Sequence, residues 1–477
     1  MNFIWFTLKV SLLVILCFSN IQAQHQDLQE KPGIWKSSEL DSTDTNNLLS
    51  AFRRGKFNGH FRYFFMATDN ESGLTDYFAN AGGGGLRYET DKFKGFQFGV
   101  SGFYIFNLGS SDLTKKDSAT NQLSRYELGL FDVENPENKN DINRLEEFYL
   151  KYHFRKSYLQ FGKFLLNSPL INLQDGRMRP SVVEGIWMEL FSGKLFKIEG
   201  GFLYNFSPRS TTKWYSGVKS IGLYPSGVQT GGMQSNYFNN LNSNGTGVLG
   251  ISYNRNARFK ISIWNYTIDN ILNSALLQSD FTIFKEKKST FSGGIQLIRQ
   301  DAIQNGGNTD PLKTYIQKGS KSMVFSGRIV FKNSFLETSL NYTRITSHGR
   351  YLFPREWGRD PFYTFMPRER NEGYGDVHAS VAKINYFSKS KRFTTGLAIG
   401  YFELPDVKDF KLNKYGMPSY FQLNAEVRYL FSGKLQGFEL YALFVSKIKN
   451  DTTYDNPKYI INKVGMNLYN LVLNYRF

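Results

Sequence analysis

Apolar and polar residues alternate with a period of two in segment after segment of this chain. Strands whose two faces meet different surroundings leave that pattern. Across 419–432, Phe421, Leu423, Ala425, Val427, Tyr429 and Phe431 fall on one face and Gln422, Asn424, Glu426 and Arg428 on the other. At the C-terminus, Tyr469, Leu471, Leu473, Tyr475 and Phe477 oppose Asn470, Asn474 and Arg476. Near the start, Phe57, Phe61, Tyr63 and Phe65 alternate with Asn58, His60 and Arg62. Marking every such run predicts about eighteen strands of about ten residues, the length a tilted membrane strand needs. They start near 56, 81, 95, 145, 157, 181, 194, 246, 257, 275, 289, 321, 334, 375, 391, 418, 436 and 462.

The connections carry separate information. Hairpin-sized polar turns such as 155–157, 192–194, 332–334 and 432–434 alternate strictly with long polar stretches, notably 108–144, 207–245, 301–320 and 347–374. Short turns on one side and long loops on the other mark outer-membrane barrels, with the short side periplasmic. A propeller or lectin array would show repeats of regular length, and none is visible. The expected fold is all-β: a transmembrane antiparallel β-barrel occupying 56–477, with loops near 167–180 and 347–374 folded inward. Each packs prolines, apolar residues and charge pairs densely, as ordered functional loops do.

Composition sharpens this. The chain has 477 residues with Tyr 29, Phe 43, Gly 43 and a single cysteine, Cys17. Mean hydropathy is −0.40, and no stretch after residue 24 approaches the roughly 18 consecutive apolar residues of a transmembrane helix. A closed barrel is the remaining way to satisfy the backbone in lipid. Residues 1–23 read as a cleaved secretory signal, with Lys9 before a short apolar core and Ala23 at the cut. Residues 24–55 read as a periplasmic lead-in, too short for the plug domain of an energised importer. The expected location is the bacterial outer membrane.

A barrel of this size encloses an aqueous lumen, so passive diffusion of small hydrophilic solutes is the default activity. Lys+Arg 58 against Asp+Glu 41 gives +17. Alternation places Arg62, Arg87, Arg328, Arg428 and Arg476 on the lumen wall. The loops add Arg177, Arg179, Arg209, Arg350, Arg355, Arg359, Arg368 and Arg370. A guanidinium pairs bidentately with carboxylates and keeps its charge, so a basic lumen favours anionic or carboxylate-bearing solutes. The charge is spread over turns, unlike a nucleic-acid surface. No nucleotide, phosphate-loop or metal motif appears, so no cofactor is expected.

The stretch 162–185, with Pro169, Asp175, Arg177, Pro180 and Gly185, resembles the segment that OprD-type substrate-selective porins carry from strand into third loop. Ser207-Pro-Arg-Ser-Thr211 and Pro354-Arg-Glu-Trp-Gly-Arg-Asp-Pro361 are similar to further parts of that family. The resemblance implies an eighteen-stranded pore, monomeric or weakly trimeric, constricted by loops including the third and seventh. It also implies a ladder of basic residues guiding carboxylates, carried here onto Asp175, Arg177, Arg209, Arg355, Arg359 and Asp360. The aromatic terminus Phe477 matches proteins handled by the barrel-assembly machinery.

Two other functions compete. A sugar channel needs an aromatic stripe in the lumen; inward Phe64, Phe103, Trp264 and Tyr266 are scattered, and Trp214 with Tyr215 is a further stacking candidate. A barrel enzyme needs a His-centred constellation, for which His348 beside Ser347 is the candidate.

Overall fold

The computed structural model describes residues 33–35, 44–173, 177–193, 195–256, 258–286 and 288–477. Eighteen strands form one antiparallel barrel: β1 (Lys56–Asp69), β2 (Tyr77–Glu89), β3 (Phe96–Ser110), β4 (Ile142–Phe154), β5 (Ser157–Phe164), β6 (Val182–Ser192), β7 (Phe196–Ser207), β8 (Thr246–Asn256), β9 (Phe259–Ile268), β10 (Leu272–Lys285), β11 (Ser289–Ala302), β12 (Lys321–Asn333), β13 (Leu336–Ile345), β14 (Val377–Phe387), β15 (Phe393–Glu403), β16 (Tyr420–Leu430), β17 (Phe438–Lys449) and β18 (Met466–Arg476). Every strand starts within four residues of its predicted position. Each pairs with its chain neighbours, and β1 pairs with β18 from His60↔Arg476 to Asp69↔Asn467, so no sheet edge is left open. Phe477 finishes the seam: its N–H donates to the Gly59 carbonyl at 3.1 Å, and its carbonyl accepts the Gly59 N–H at 3.0 Å.

Burial inverts the rule for soluble proteins. Outward Phe61, Phe161, Ile263, Leu340 and Ile399 are more than half exposed, whereas inward His60, Arg62, Gln296, Gln422 and Asn474 are buried. Apolar side chains turned outward on successive strands are the lipid-facing band of a membrane barrel. At the short-turn end, outward aromatics pair across strands: Phe57–Tyr88, Phe96–Tyr152, Phe196–Tyr253 and Phe438–Tyr475, with ring centroids 4.4 to 4.9 Å apart. These pairs form the girdle expected at the membrane–water boundary.

The long-side loops are L1 (70–76), L2 (111–141), L3 (165–181), L4 (208–245), L5 (269–271), L6 (303–320), L7 (346–376), L8 (404–419) and L9 (450–465). The strict alternation expected from the sequence fails at L5, and L1 is also brief. Asn270, at φ 58, closes L5 as a tight turn, a conformation asparagine tolerates.

Before β1, Asp44–Thr45 pairs with Lys92–Phe93 at the short-turn rim, and helix α1 (Leu48–Arg53) follows. Further upstream the structure departs from a simple lead-in: Ile34 and Trp35 lie inside the barrel, 5% and 7% exposed. Residues 1–23, the expected signal, lie outside the described residues.

Candidate functional site

The interior is built by loops that fold into the barrel and are gripped by its wall. Gly162 and Gly185, paired between β5 and β6, let the chain pass into and out of L3. Gly162 has φ +112, and a Cβ there would sit 2.3 Å from the Phe148 carbonyl; at Gly185 it would meet the Phe202 carbonyl at the same distance. L3 then packs Leu170 and Ile171 against inward Tyr266 and neighbouring core side chains. Arg62 on β1 holds the loop's return by donating to the carbonyls of Arg177 (2.8 Å) and Met178 (3.2 Å).

L7 lies across the opposite wall and is held largely through its own carbonyls. Gln296 donates to Pro361 O (2.8 Å), Lys383 to Tyr363 O (3.1 Å) and Phe365 O (2.8 Å), and Gln422 to Pro367 O (2.8 Å). Lys447 donates to Arg368 O (2.7 Å). Polar inward residues of β11, β14, β16 and β17 thus fix the loop by satisfying backbone acceptors that would otherwise be buried and unpaired.

The 354–361 block locks three loops together. Asn172 of L3 donates to the Arg359 carbonyl and accepts its N–H, both at 3.0 Å. Glu356 accepts the N–H groups of Gly222 (2.9 Å) and Tyr224 (3.1 Å) in L4. Trp357 stacks on Phe206 at 4.0 Å and 3°, and its indole N–H donates to Ser220 Oγ at 2.8 Å. Asp360 accepts Asn371 N–H (2.8 Å) and Glu372 N–H (3.1 Å), and so shapes L7 itself.

The predicted cations divide into two groups. Several are matched by acids: Arg87 with Glu89 (3.2 Å) and Glu147 (3.1 Å), Arg328 with Asp280 (2.9 Å), Arg355 with Glu372 (3.4 Å), and Arg428 (3.0 Å) and Arg476 (2.6 Å) with Glu439. Arg179 clamps Glu146 from L3, with Nε 2.9 Å from both carboxylate oxygens, and Arg144 holds the same carboxylate at 2.8 Å. Arg350 donates to the Val228 carbonyl at 2.7 Å. The second group comes from three loops: Arg177 (L3), Arg209 (L4) and Arg368 with Arg370 (L7). Burial, then the Arg368 and Arg209 guanidiniums, push Arg177 well below the ordinary arginine value. Burial first, with the like charge of Arg209 acting in the same direction, brings Arg368 down to about 10. Arg370 is lowered by burial and by Arg355 and Arg209, against the opposing pull of Asp360 and Glu372. Like charges from three loops thus share one buried region, where Glu127, Asp360 and Glu372 oppose them in part. Tyr126 and Tyr224 border it, with Arg177 over the Tyr126 ring (5.9 Å) and Arg209 over the Tyr224 ring (5.9 Å). Beside it, Arg359 opens onto a cavity of about 140 Å³ on the β12–β17 side, lined also by Arg328, Lys383, Arg428, Glu337 and Glu426. Asp175 lies outside the described residues.

Alternation could not find Glu146. Pairing runs Ser101↔Glu147 and Gly102↔Leu145, leaving Glu146 as an extra residue, so adjacent Glu146 and Glu147 both point inward. A bulge of this kind re-aims a side chain, and two consecutive acids in an alternating strand were its sequence signal. The aromatic candidates are also resolved. Phe64, Phe103, Trp264 and Tyr266 are buried beneath loops. Trp214 stands outside the wall, its indole N–H on the Leu145 carbonyl (2.9 Å) and outward Lys163 over its ring (4.5 Å), so it is not a lumenal stacking site. His348 is at the surface, with Nδ1 3.0 Å from Thr346 Oγ1.

A closed eighteen-stranded barrel with an apolar exterior and a loop-built interior defines an outer-membrane channel. The family profile described as outer membrane porin, OprD family, matches residues 58–329. The chain belongs to that family, and it is a substrate-specific channel of the bacterial outer membrane. Among solved structures it is similar to Pseudomonas aeruginosa OccK9 (OpdG), with 14% identity and TM-score 0.69 over 90% of this chain and 99% of that one. Acinetobacter baumannii OccAB4 gives 15%, 0.68, 89% and 98%. Pseudomonas aeruginosa OpdK with vanillate gives 13%, 0.66, 89% and 99%. No curated protein sequence matches the chain.

Proposed function

We propose that this porin passes small anionic solutes, carboxylates above all, past a constriction formed by L3 and L7 with the start of L4. The observation that carries the reading is the convergence of Arg177, Arg209 and Arg368 from three loops: the Arg368 and Arg209 charges lower Arg177, and the Arg209 charge lowers Arg368. A carboxylate entering this cluster relieves that repulsion and gains bidentate hydrogen bonds. Arg359, on the cavity beyond, provides a further cationic step. Arg62, Arg87, Arg179, Arg328, Arg355 and Arg428 support the reading differently, since their charge is largely spent on loops and wall acids. The net +17 is therefore not the measure of selectivity. OpdK, of similar fold, was crystallised with vanillate, itself a carboxylate. Within this reading Phe477, at the seam, is the mark the assembly machinery reads.

Reversal potentials in a KCl gradient across planar bilayers test it. The parent channel should prefer chloride, and Arg177→Ala with Arg368→Ala should move the potential toward the potassium limit. A parent channel preferring potassium would reject the proposal.

A further inference from the structure

The lumen holds one piece of chain that belongs neither to the wall nor to a connecting loop. Ile34 and Trp35 precede β1 by more than twenty residues, yet both are buried inside the barrel, clustered with Leu165 and Leu173 of L3. The indole N–H of Trp35 donates to Glu147 Oε2 at 3.0 Å. Its ring lies under the Arg179 guanidinium at 4.7 Å and meets the His60 ring edge-on at 6.4 Å. Arg179 is sandwiched, because the Phe103 ring faces it at 4.4 Å. Nine residue steps separate Trp35 from the rim strand at Asp44, up to about 30 Å of extended chain, which suffices to reach into the lumen.

The contacts are specific as well as apolar. Burial of the isoleucine and tryptophan side chains and the desolvated cation–π contact both favour this placement. These gains oppose the entropy of ordering a polar tail. Glu147 Oε2 also accepts from Ser101 Oγ at 2.8 Å and is paired with Arg87 at 3.1 Å, so the indole adds a third donor to this carboxylate oxygen. Trp35 takes the β1–β5 side of the lumen, whereas the open cavity lies on the β12–β17 side.

We infer that Ile34 and Trp35 form a lumenal strap that sets the pore's width and selectivity: they fill the β1–β5 side beneath L3, brace Arg179 against Glu146 and screen the Glu147 carboxylate from passing ions. The inference rests on the chain being a pore, and it makes Trp35 a positioning and specificity-determining residue contributed from outside the barrel. Without the indole, the vestibule is wider and a carboxylate faces the lumen. Conductance then rises and anion preference falls.

The test compares single-channel conductance and KCl reversal potential for the parent, Trp35→Ala and Trp35→Phe. Trp35→Ala should conduct more than the parent, with its reversal potential shifted toward potassium. Trp35→Phe, which keeps a ring in the gap, should hold conductance near the parent while losing part of the anion preference. Trp35→Cys, in a chain whose only native cysteine is Cys17, should lose current when an anionic methanethiosulfonate is added from the short-turn side. If Trp35→Ala keeps both parental values and the cysteine variant ignores the reagent, the strap is overturned while the pore stands. A parent that does not conduct overturns both.

Discussion

Glu146 shows how much can hang on one side chain. It is fully buried, held by Arg144 and by Arg179, and Arg144 also donates to the carbonyls of Pro180 (2.7 Å) and Pro208 (3.0 Å). One carboxylate therefore ties the ends of L3 and L4 to the wall. Breaking such a pair strands two buried guanidiniums, so Glu146→Ala should cost about 3–5 kcal/mol. The measurement is heat-induced loss of barrel migration in detergent, and an unchanged transition would show that the triad holds nothing. Trp357 is the apolar counterpart. Removing its stack on Phe206 should cost about 3–5 kcal/mol. Because the ring locks L7 to L4, Trp357→Ala should also convert steady single-channel current into flickering current. A quiet trace would place the lock elsewhere. Trp357 was legible within its motif, whereas Glu146 was not, because a bulge breaks the very alternation by which facing was read.

Among the elements, every strand start was read to within four residues, and L3 and L7 were expected to fold inward from their apolar content. What escaped was the partner of each loop. The sequence suggested a charged constriction of Arg177, Arg179, Arg209, Arg355, Arg359, Arg368 and Arg370 with Asp175 and Asp360. The structure instead gives Arg179 and Arg355 to Glu146 and Glu372 and leaves the convergent cluster to Arg177, Arg209, Arg368 and Arg370. The Arg179–Glu146 pairing spans 33 residues and depends on how L3 meets the barrel wall, and Arg355–Glu372 depends on the folding of L7 on itself; local pattern encodes neither. L7 also carries a pH dependence. Burial, then the nearby Asp360, push Glu369 from 4.5 up to about 8. A carboxyl raised in this way binds its proton more tightly folded than unfolded, so its stabilisation is complete below 4.5 and gone once pH passes about 8. The thermal transition of the parent should fall across that interval, and Glu369→Gln should flatten the fall. Equal slopes in both would remove Glu369 as the cause.

At the scale of the molecule, eighteen strands close a cylinder whose outer face is fit for hydrocarbon and whose interior is almost filled by its own loops and a piece of the N-terminal segment. Alternation and turn lengths made the cylinder visible because each strand faces two different solvents. The insertion of Ile34 and Trp35 left no such trace, two apolar residues in a polar stretch being an ordinary occurrence. On the proposed reading, a handful of loop arginines sets the selectivity of the pore that remains. The most direct test is liposome swelling with the purified channel in an isotonic small carboxylate against a neutral sugar of similar size. Faster swelling in the carboxylate, lost when Arg177, Arg209 and Arg368 are all changed to alanine, is the predicted result. Equal or faster swelling in the sugar, or a rate indifferent to the three substitutions, would contradict it.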